Sequence, residues 1–108
     1  MLLVGTGSYA AATIAALRDH GVEDITVHSP SGRGARFAAK HGLSSVAPEH
    51  FAQAAVAADL VITCTSREEP VIDAALLTGA GFAGTGMIID LGMPRNVAPD
   101  VATVPGIT

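Results

Sequence analysis

Gly5, Gly7 and Ala10 follow the apolar run Leu2-Leu3-Val4 at the spacing G-x-G-x-x-A. That spacing suits a backbone which must come close to a pyrophosphate. Gly5 lets the chain turn tightly off a strand, and Gly7 lets backbone N–H groups approach the phosphates. Ala10 lets the following helix pack against the sheet. Thr6, Ser8 and Tyr9 complete the loop, and the phosphates would sit over N–H groups that have no intrahelical partner. Tyr9 either closes over the pyrophosphate or simply covers the crevice. Glycines after a strand also make ordinary turns, so the motif gains its meaning from the elements around it.

A second group of residues bears on which dinucleotide is bound. An NAD site places Asp or Glu at the end of the second strand, where it accepts hydrogen bonds from the ribose hydroxyls. That position holds His28 and then Ser29, while Glu23 and Asp24 lie at the other end of the strand. No carboxylate there repels a 2′-phosphate. Ser29, Ser31 and Arg33 offer two hydroxyls and a fixed positive charge, so the expected cofactor is NADPH. Equally, the serines could cap a helix and Arg33 could be a solvated side chain.

Thr65 and Ser66 end the fourth strand beside the same crevice and are expected on its nicotinamide side, with Gly92 after the fifth. Cys64 ends an apolar strand and reads as a core thiol rather than a nucleophile. Asp90 lies within Met87–Leu91 and is expected to be buried and to need a partner, for which Arg95 is a candidate. The four histidines lack ligand spacing and no Cys/His cluster exists, so no metal site is expected.

The elements that must position these residues alternate along the chain. Strands are predicted at Leu2–Val4, Asp24–His28, Leu43–Ala47, Asp59–Cys64 and Met87–Leu91. Helices are predicted from Ser8 to about His20, from about Gly32 to His41, from Pro48 through Ala58, and from about Asp73 to Leu77. This order argues for an α/β fold with a doubly wound parallel sheet between helical layers. The carboxyl ends of strands one and four then meet at the point where the winding reverses, and the Gly5–Ala10 turn and Thr65–Glu69 loop flank one crevice.

The 108 residues make one domain, able to bury roughly two thirds of the surface its unfolded chain exposes. Hydrophobic residues make up 49% and aromatic residues only 4%, so the core is built from Ala, Val, Leu and Ile. A net charge of −4 with six scattered Lys and Arg gives no electrostatic footprint for nucleic acid. No apolar run approaches the ~20 residues of a membrane span, and the single cysteine fits a reducing cytoplasm. The chain opens almost directly on a strand and closes at Ile107-Thr108, which looks like the start of another. A dinucleotide domain seldom acts alone, so residues 1–108 are expected to be one domain of a larger enzyme.

The whole pattern resembles the NADPH-binding domain, a three-layer α/β/α Rossmann fold, of the glutamyl-tRNA reductase family. The resemblance rests on Val4-Gly5-Thr6-Gly7-Ser8-Tyr9-Ala10, on Ala58 to Thr65, and above all on the tail. Ile88 to Val101, closed by Val104-Pro105-Gly106-Ile107, is similar to that family's apolar-Asp-apolar, Pro-Arg-Asp-(apolar)-x-Pro and Leu-Pro-Gly-Val signature. His28-Ser29-Pro30-Ser31-Gly32-Arg33 looks like the form seen in actinobacterial members. The resemblance implies the first committed step of tetrapyrrole (porphyrin) synthesis by the five-carbon route. There, a cysteine of an N-terminal domain forms a thioester with the glutamyl group of glutamyl-tRNA, and hydride from NADPH reduces it to glutamate-1-semialdehyde. It also implies that the catalytic cysteine, the tRNA-contacting surfaces and the C-terminal dimerising helices lie outside residues 1–108, which would have no reductase activity alone. Two positions depart from the pattern. Most members carry Asn-Arg-Thr where this chain has His28-Ser29-Pro30, and Asn96 stands where the family usually has Asp.

Shikimate dehydrogenase and ornithine cyclodeaminase domains share the fold and a similar glycine turn, but match the Pro94–Pro99 tail less well. A non-catalytic nucleotide-sensing module is the reading from a different class.

Overall fold

The computed structural model describes residues 1–30, 32–65, 69–92 and 95–107. Ser31, Ser66, Arg67, Glu68, Met93, Pro94 and Thr108 lie outside the described residues, as does the side chain of Ser8. Five parallel strands form one sheet in the order β3-β2-β1-β4-β5. They are β1 (Leu2–Val4), β2 (Thr26–His28), β3 (Ser44–Ser45), β4 (Leu60–Thr63) and β5 (Met87–Asp90). The helices are α1 (Ser8–Asp19), α2 (Gly34–His41), α3 (Phe51–Ala57) and α4 (Ala74–Gly79), with 3₁₀ turns at Pro48–His50 and Pro99–Thr103.

β1 is apolar throughout because both faces of the sheet are covered. Leu2 and Val4 join Phe51, Ala55, Val61, Ile72, Leu77, Val101 and Val104 on one side. Leu3 packs with Ala10, Ile14, Ile25 and Ile62 on the other. The alternation of side chains along a strand thus divides the interior into two cores. α1 and α2 attend the second core, and α3 and α4 the first. The expected three-layer α/β/α architecture is the one observed.

Ala10 and Ile14 are fully buried on α1, as their helical spacing requires, and Leu17 packs half-buried beside them. Arg18 near the end of α1 donates to the His41 carbonyl, tying the two helices of that face together. α2 ends at Gly42 in the left-handed conformation, with the Leu43 amide closing onto the Ala38 carbonyl. This is a glycine stop of the kind that satisfies late helix carbonyls.

Several elements are shorter than the sequence suggests. β2 begins at Thr26 because the Ile25 amide turns back to the Glu23 carbonyl before the ladder opens at Thr26 N–H to Met1 O. α2 begins at Gly34 because Ser29–Gly32 closes first as a turn, Gly32 N–H to Ser29 O, with Gly32 at φ +82°. β3 keeps only two residues, both exposed at the edge. Pro48 opens a 3₁₀ turn, and α-helical bonding starts only at Phe51. Asp73 lies outside α4 as its cap, accepting from the Leu76 amide at 2.8 Å.

β5 also departs from expectation. Asp90 is half-buried rather than buried, and Met87, Ile89 and Leu91 are 46, 40 and 52% exposed. Only the face carrying Ile88 and Asp90 is covered. At its start, Gly86 bridges Ile107 in parallel fashion.

Candidate functional site

The carboxyl ends of the strands are level. Val4 pairs with His28 on one side and with Thr63 on the other, and Thr63 pairs with Asp90. The loops after β1, β2, β4 and β5 therefore leave the sheet along one edge. β1 is followed by α1 on one face and lies beside β4, whose preceding helix α3 packs on the other. That is the topological switch point at which open α/β sheets bind ligands.

The glycine turn is built differently at its two glycines. Gly5 is buried, has φ +135°, and donates its N–H to the His28 carbonyl at 2.9 Å. A Cβ there would lie 2.8 Å from the Cys64 carbonyl oxygen. Gly7 is exposed at the N-cap of α1, with φ −81° and ψ −168°, and a Cβ there would meet nothing within 4 Å. The first glycine thus answers to the fold. The second leaves open space over a helix start that has no side-chain cap and no acidic residue in its first turn. Backbone N–H groups presented in this way, without a carboxylate beside them, form a natural anion cradle.

Around this cradle, Thr6 is half-buried, Ala10 is fully buried and Tyr9 is 77% exposed. The Tyr9 carbonyl accepts from Thr13 Oγ1 at 2.7 Å. Beyond β2, Ser29 is only 6% exposed and hydrogen-bonded, whereas Arg33 is exposed at the N-cap of α2. Gly34 brings that helix close, since a Cβ on it would lie 3.2 Å from the Ser29 nitrogen. The structure brings Gly5, Thr6, Gly7, Tyr9, Ala10, Ser29, Arg33, Thr65 and Gly92 to one edge of the sheet. Ser31 and Ser66 lie outside the described residues.

His28, at the position of an NAD-type carboxylate, is a core residue. It is 4% exposed, its ring stacks on Phe51 with centroids 4.3 Å apart, and its Nδ1 lies 3.0 Å from the Val46 carbonyl. A carbonyl only accepts, so Nδ1 is the donor in that pair.

The far side of the crevice contains a polar assembly that sequence reasoning missed. Asp90 Oδ1 accepts from Thr63 Oγ1 at 3.0 Å and from the Gly92 amide at 2.8 Å. Its Oδ2 accepts from the Asn96 and Val97 amides at 2.8 and 2.9 Å. These four donors, not Arg95, are its partners. Arg95 is exposed and forms no ion pair with it among the described residues. Asn96 is fully buried, its Oδ1 accepting from the Thr65 amide at 2.8 Å and its Nδ2 donating to the Thr65 carbonyl at 3.2 Å. Gly92 lies flat against that carboxamide and leaves no room for a Cβ. The sequence signal was the lone amide Asn96 beside a half-apolar tail, but its partner is 31 residues away.

Burial pushes the Cys64 thiol up from 9.0 to about 11, and its Sγ lies 3.5 Å from the Val4 carbonyl oxygen. A thiol so placed is protonated at neutral pH and is a poor nucleophile; Cys64 is half-buried, packed against the second core rather than inside it. Among the described residues, no group of three His, Cys, Asp or Glu side chains could hold a metal ion, and no helix is long and apolar enough to cross a membrane. A cavity of roughly 350 Å³ opens beside β5, lined by Ile88, Arg95, Val101 and Ile107 among others. It is largely apolar, and the Asp90 carboxylate on its wall is already fully engaged, so the glycine crevice carries the stronger chemical argument.

The sheet order, the uncapped α1 start and the two-sided cover define a dinucleotide-binding type of α/β/α domain. The family model described as shikimate/quinate 5-dehydrogenase matches residues 1–108, and the chain belongs to that family. Within it, the chain is 49% identical over 111 residues to the glutamyl-tRNA reductase of Clavibacter michiganensis subsp. michiganensis, covering 99% of this chain and 25% of that protein. Among solved structures, glutamyl-tRNA reductase from Methanopyrus kandleri superposes with a TM-score of 0.84 at 24% identity, over 98% of this chain and 28% of that one. The nucleotide-binding domain of the Thermoplasma volcanium enzyme gives 0.66 at 24% identity, over 98% and 70%. The chain thus spans about a quarter of the length of the curated relative it matches. The resemblance, carried above all by Ile88 to Val101 and Val104 to Ile107, is borne out over the whole chain.

Proposed function

We propose that residues 1–108 form the NADPH-binding domain of a cytoplasmic glutamyl-tRNA reductase, one domain of a larger homodimeric enzyme that makes glutamate-1-semialdehyde for porphyrin synthesis. The observation that carries this reading is the 49% identity to such a reductase across 99% of the chain. The open space at Gly7, over a helix start with no acidic residue in its first turn, supports the cofactor by leaving room for an anion at the α1 amides.

NADPH, when bound, supplies the hydride for reduction of the thioester. The residues present divide its recognition among them. The amides of Gly7, Ser8 and Tyr9 at the start of α1 hold the pyrophosphate, with Gly5, Thr6 and Ala10 shaping the turn. Ser29, Ser31 and Arg33 hold the 2′-phosphate, Arg33 replacing the arginine that most reductases carry one position after β2. Thr65, Ser66 and Gly92 line the nicotinamide side. The cysteine nucleophile, the tRNA contacts and the dimer interface belong to other domains, so residues 1–108 alone have no reductase activity.

A second reading, a shikimate dehydrogenase-like cofactor domain, draws on the description of the matching family model. The 49% identity to a reductase across 99% of this chain favours the first.

Calorimetric titration of the 108-residue chain with NADPH and with NADH, in one low-phosphate buffer, tests the proposal. NADPH binding tighter by about tenfold, roughly 1.4 kcal/mol, is expected. Equal or NADH-favoured binding overturns the choice of cofactor, and no binding of either overturns the reading of the crevice.

A further inference from the structure

The ladder between β4 and β5 ends with the Leu91 amide bonded to the Thr63 carbonyl at 2.7 Å. The paired register of β4 and β5 ends at Thr63 and Asp90. Asn96 fills the next place. Its carboxamide presents an acceptor oxygen and an N–H donor side by side, as a peptide group does, and takes both the N–H and the carbonyl of Thr65. A side chain thus stands in for one residue of strand and carries β4 two residues beyond its last regular partner. Asn96 is itself fixed from three sides. Its amide is held by Asp90 Oδ2, its carbonyl accepts from the Val71 amide at 2.7 Å and from Ile72 at 3.3 Å, and Gly92 lies against its side chain.

We propose that Asn96 is the positioning residue of the nicotinamide-side loop. By holding both backbone polar groups of Thr65, it fixes the direction in which Thr65 leaves β4, and with it the wall that Thr65 offers to the nicotinamide ring. This inference rests on the NADPH reading of the crevice. An aspartate at this position would accept from the Thr65 N–H but when ionised would give nothing to its carbonyl. Asn96 therefore holds the loop at two points where an acid holds it at one.

The test separates the two ends of the cofactor. Wild type, Asn96→Asp and Asn96→Ala forms of the 108-residue chain are titrated with NADP⁺ and with adenosine 2′,5′-bisphosphate, which carries the adenine and the 2′-phosphate but no nicotinamide. Asn96→Ala is expected to weaken NADP⁺ by about tenfold while the bisphosphate stays within about twofold. Asn96→Asp keeps the acceptor and is expected to lose about threefold for NADP⁺ alone. Should Asn96→Ala fail to fold by circular dichroism, the Asn96→Asp pair of titrations decides. Parallel loss of both ligands, or loss of neither, overturns the positioning role. Wild type that binds neither ligand overturns the cofactor reading, and the proposal with it.

Discussion

Gly5 is pressed against Cys64: a Cβ on the glycine would stand 2.8 Å from the cysteine's carbonyl oxygen and 2.9 Å from its Sγ. The turn that leaves β1 is therefore part of the β1–β4 junction. Gly5 also has φ +135°, where a side chain is strained whatever the space. Gly5→Ala should cost at least about 2 kcal/mol of stability, read as a lower urea midpoint. Adding Cys64→Ala should recover only part of it, because the backbone contact remains. Full recovery would locate the whole cost at the sulfur.

Gly7→Ala is expected to behave in the opposite way. Its backbone is extended and its Cβ would enter open space, so stability should stay within about 0.5 kcal/mol of wild type. NADPH affinity should fall by about tenfold or more, because the methyl group takes the space of the pyrophosphate. Stability and affinity dropping together would show that Gly7, like Gly5, serves the fold.

Arg33 is exposed at the start of α2, and its side chain has no ion pair among the described residues. Arg33→Ala should weaken NADPH more than NADH, by about 1–3 kcal/mol for a charge-assisted contact. An equal loss for both cofactors would mean that Arg33 does not read the 2′-phosphate.

Cys64 gives a pH prediction with a definite sign. Its thiol titrates near 9.0 when unfolded and at about 11 in the fold, because burial disfavours the thiolate. Below pH 9 both states are protonated and the group contributes nothing to pH dependence. Between 9 and 11 only the unfolded chain releases the proton, so stability falls as pH rises, and the fall levels off above 11. Cys64→Ala should flatten that segment of the stability profile. Iodoacetamide should label the native thiol much more slowly at pH 8 than the thiol of the urea-unfolded chain.

Much of the architecture is legible in the order of residues. The limits of β1 and α1 follow from an apolar triplet, two glycines and a helical stripe of Ala10, Ile14 and Leu17, all of them local signals. The fraying of β2 and β3 is not local, since it depends on which carbonyl each amide finds first. His28 shows the same limit at the site. Its place in the sequence suggests the cofactor's ribose, but Phe51 and Val46, far along the chain, draw the ring into the core. Arg95 is the nearest cation to Asp90 in sequence, and opposite charge alone selects it as partner. Three amides and a hydroxyl satisfy the carboxylate instead, at no cost in side-chain entropy for a long arginine. Asn96 was visible only as a departure from a family pattern, because a carboxamide that mimics a strand leaves no periodic trace.

The Asp90 carboxylate also has a bearing on the order in which the chain folds. Its bonds to the amides of 92, 96 and 97 close loops of two to seven residues, whereas Asp90 reaches Thr63 across 27 residues and Asn96 reaches Thr65 across 31. Loop-closure entropy favours the short circuits. The amides of Gly92, Asn96 and Val97 can thus gather early around one side chain and hold Asn96 ready, so that β4, when it arrives, gains its last hydrogen bonds in a single docking step.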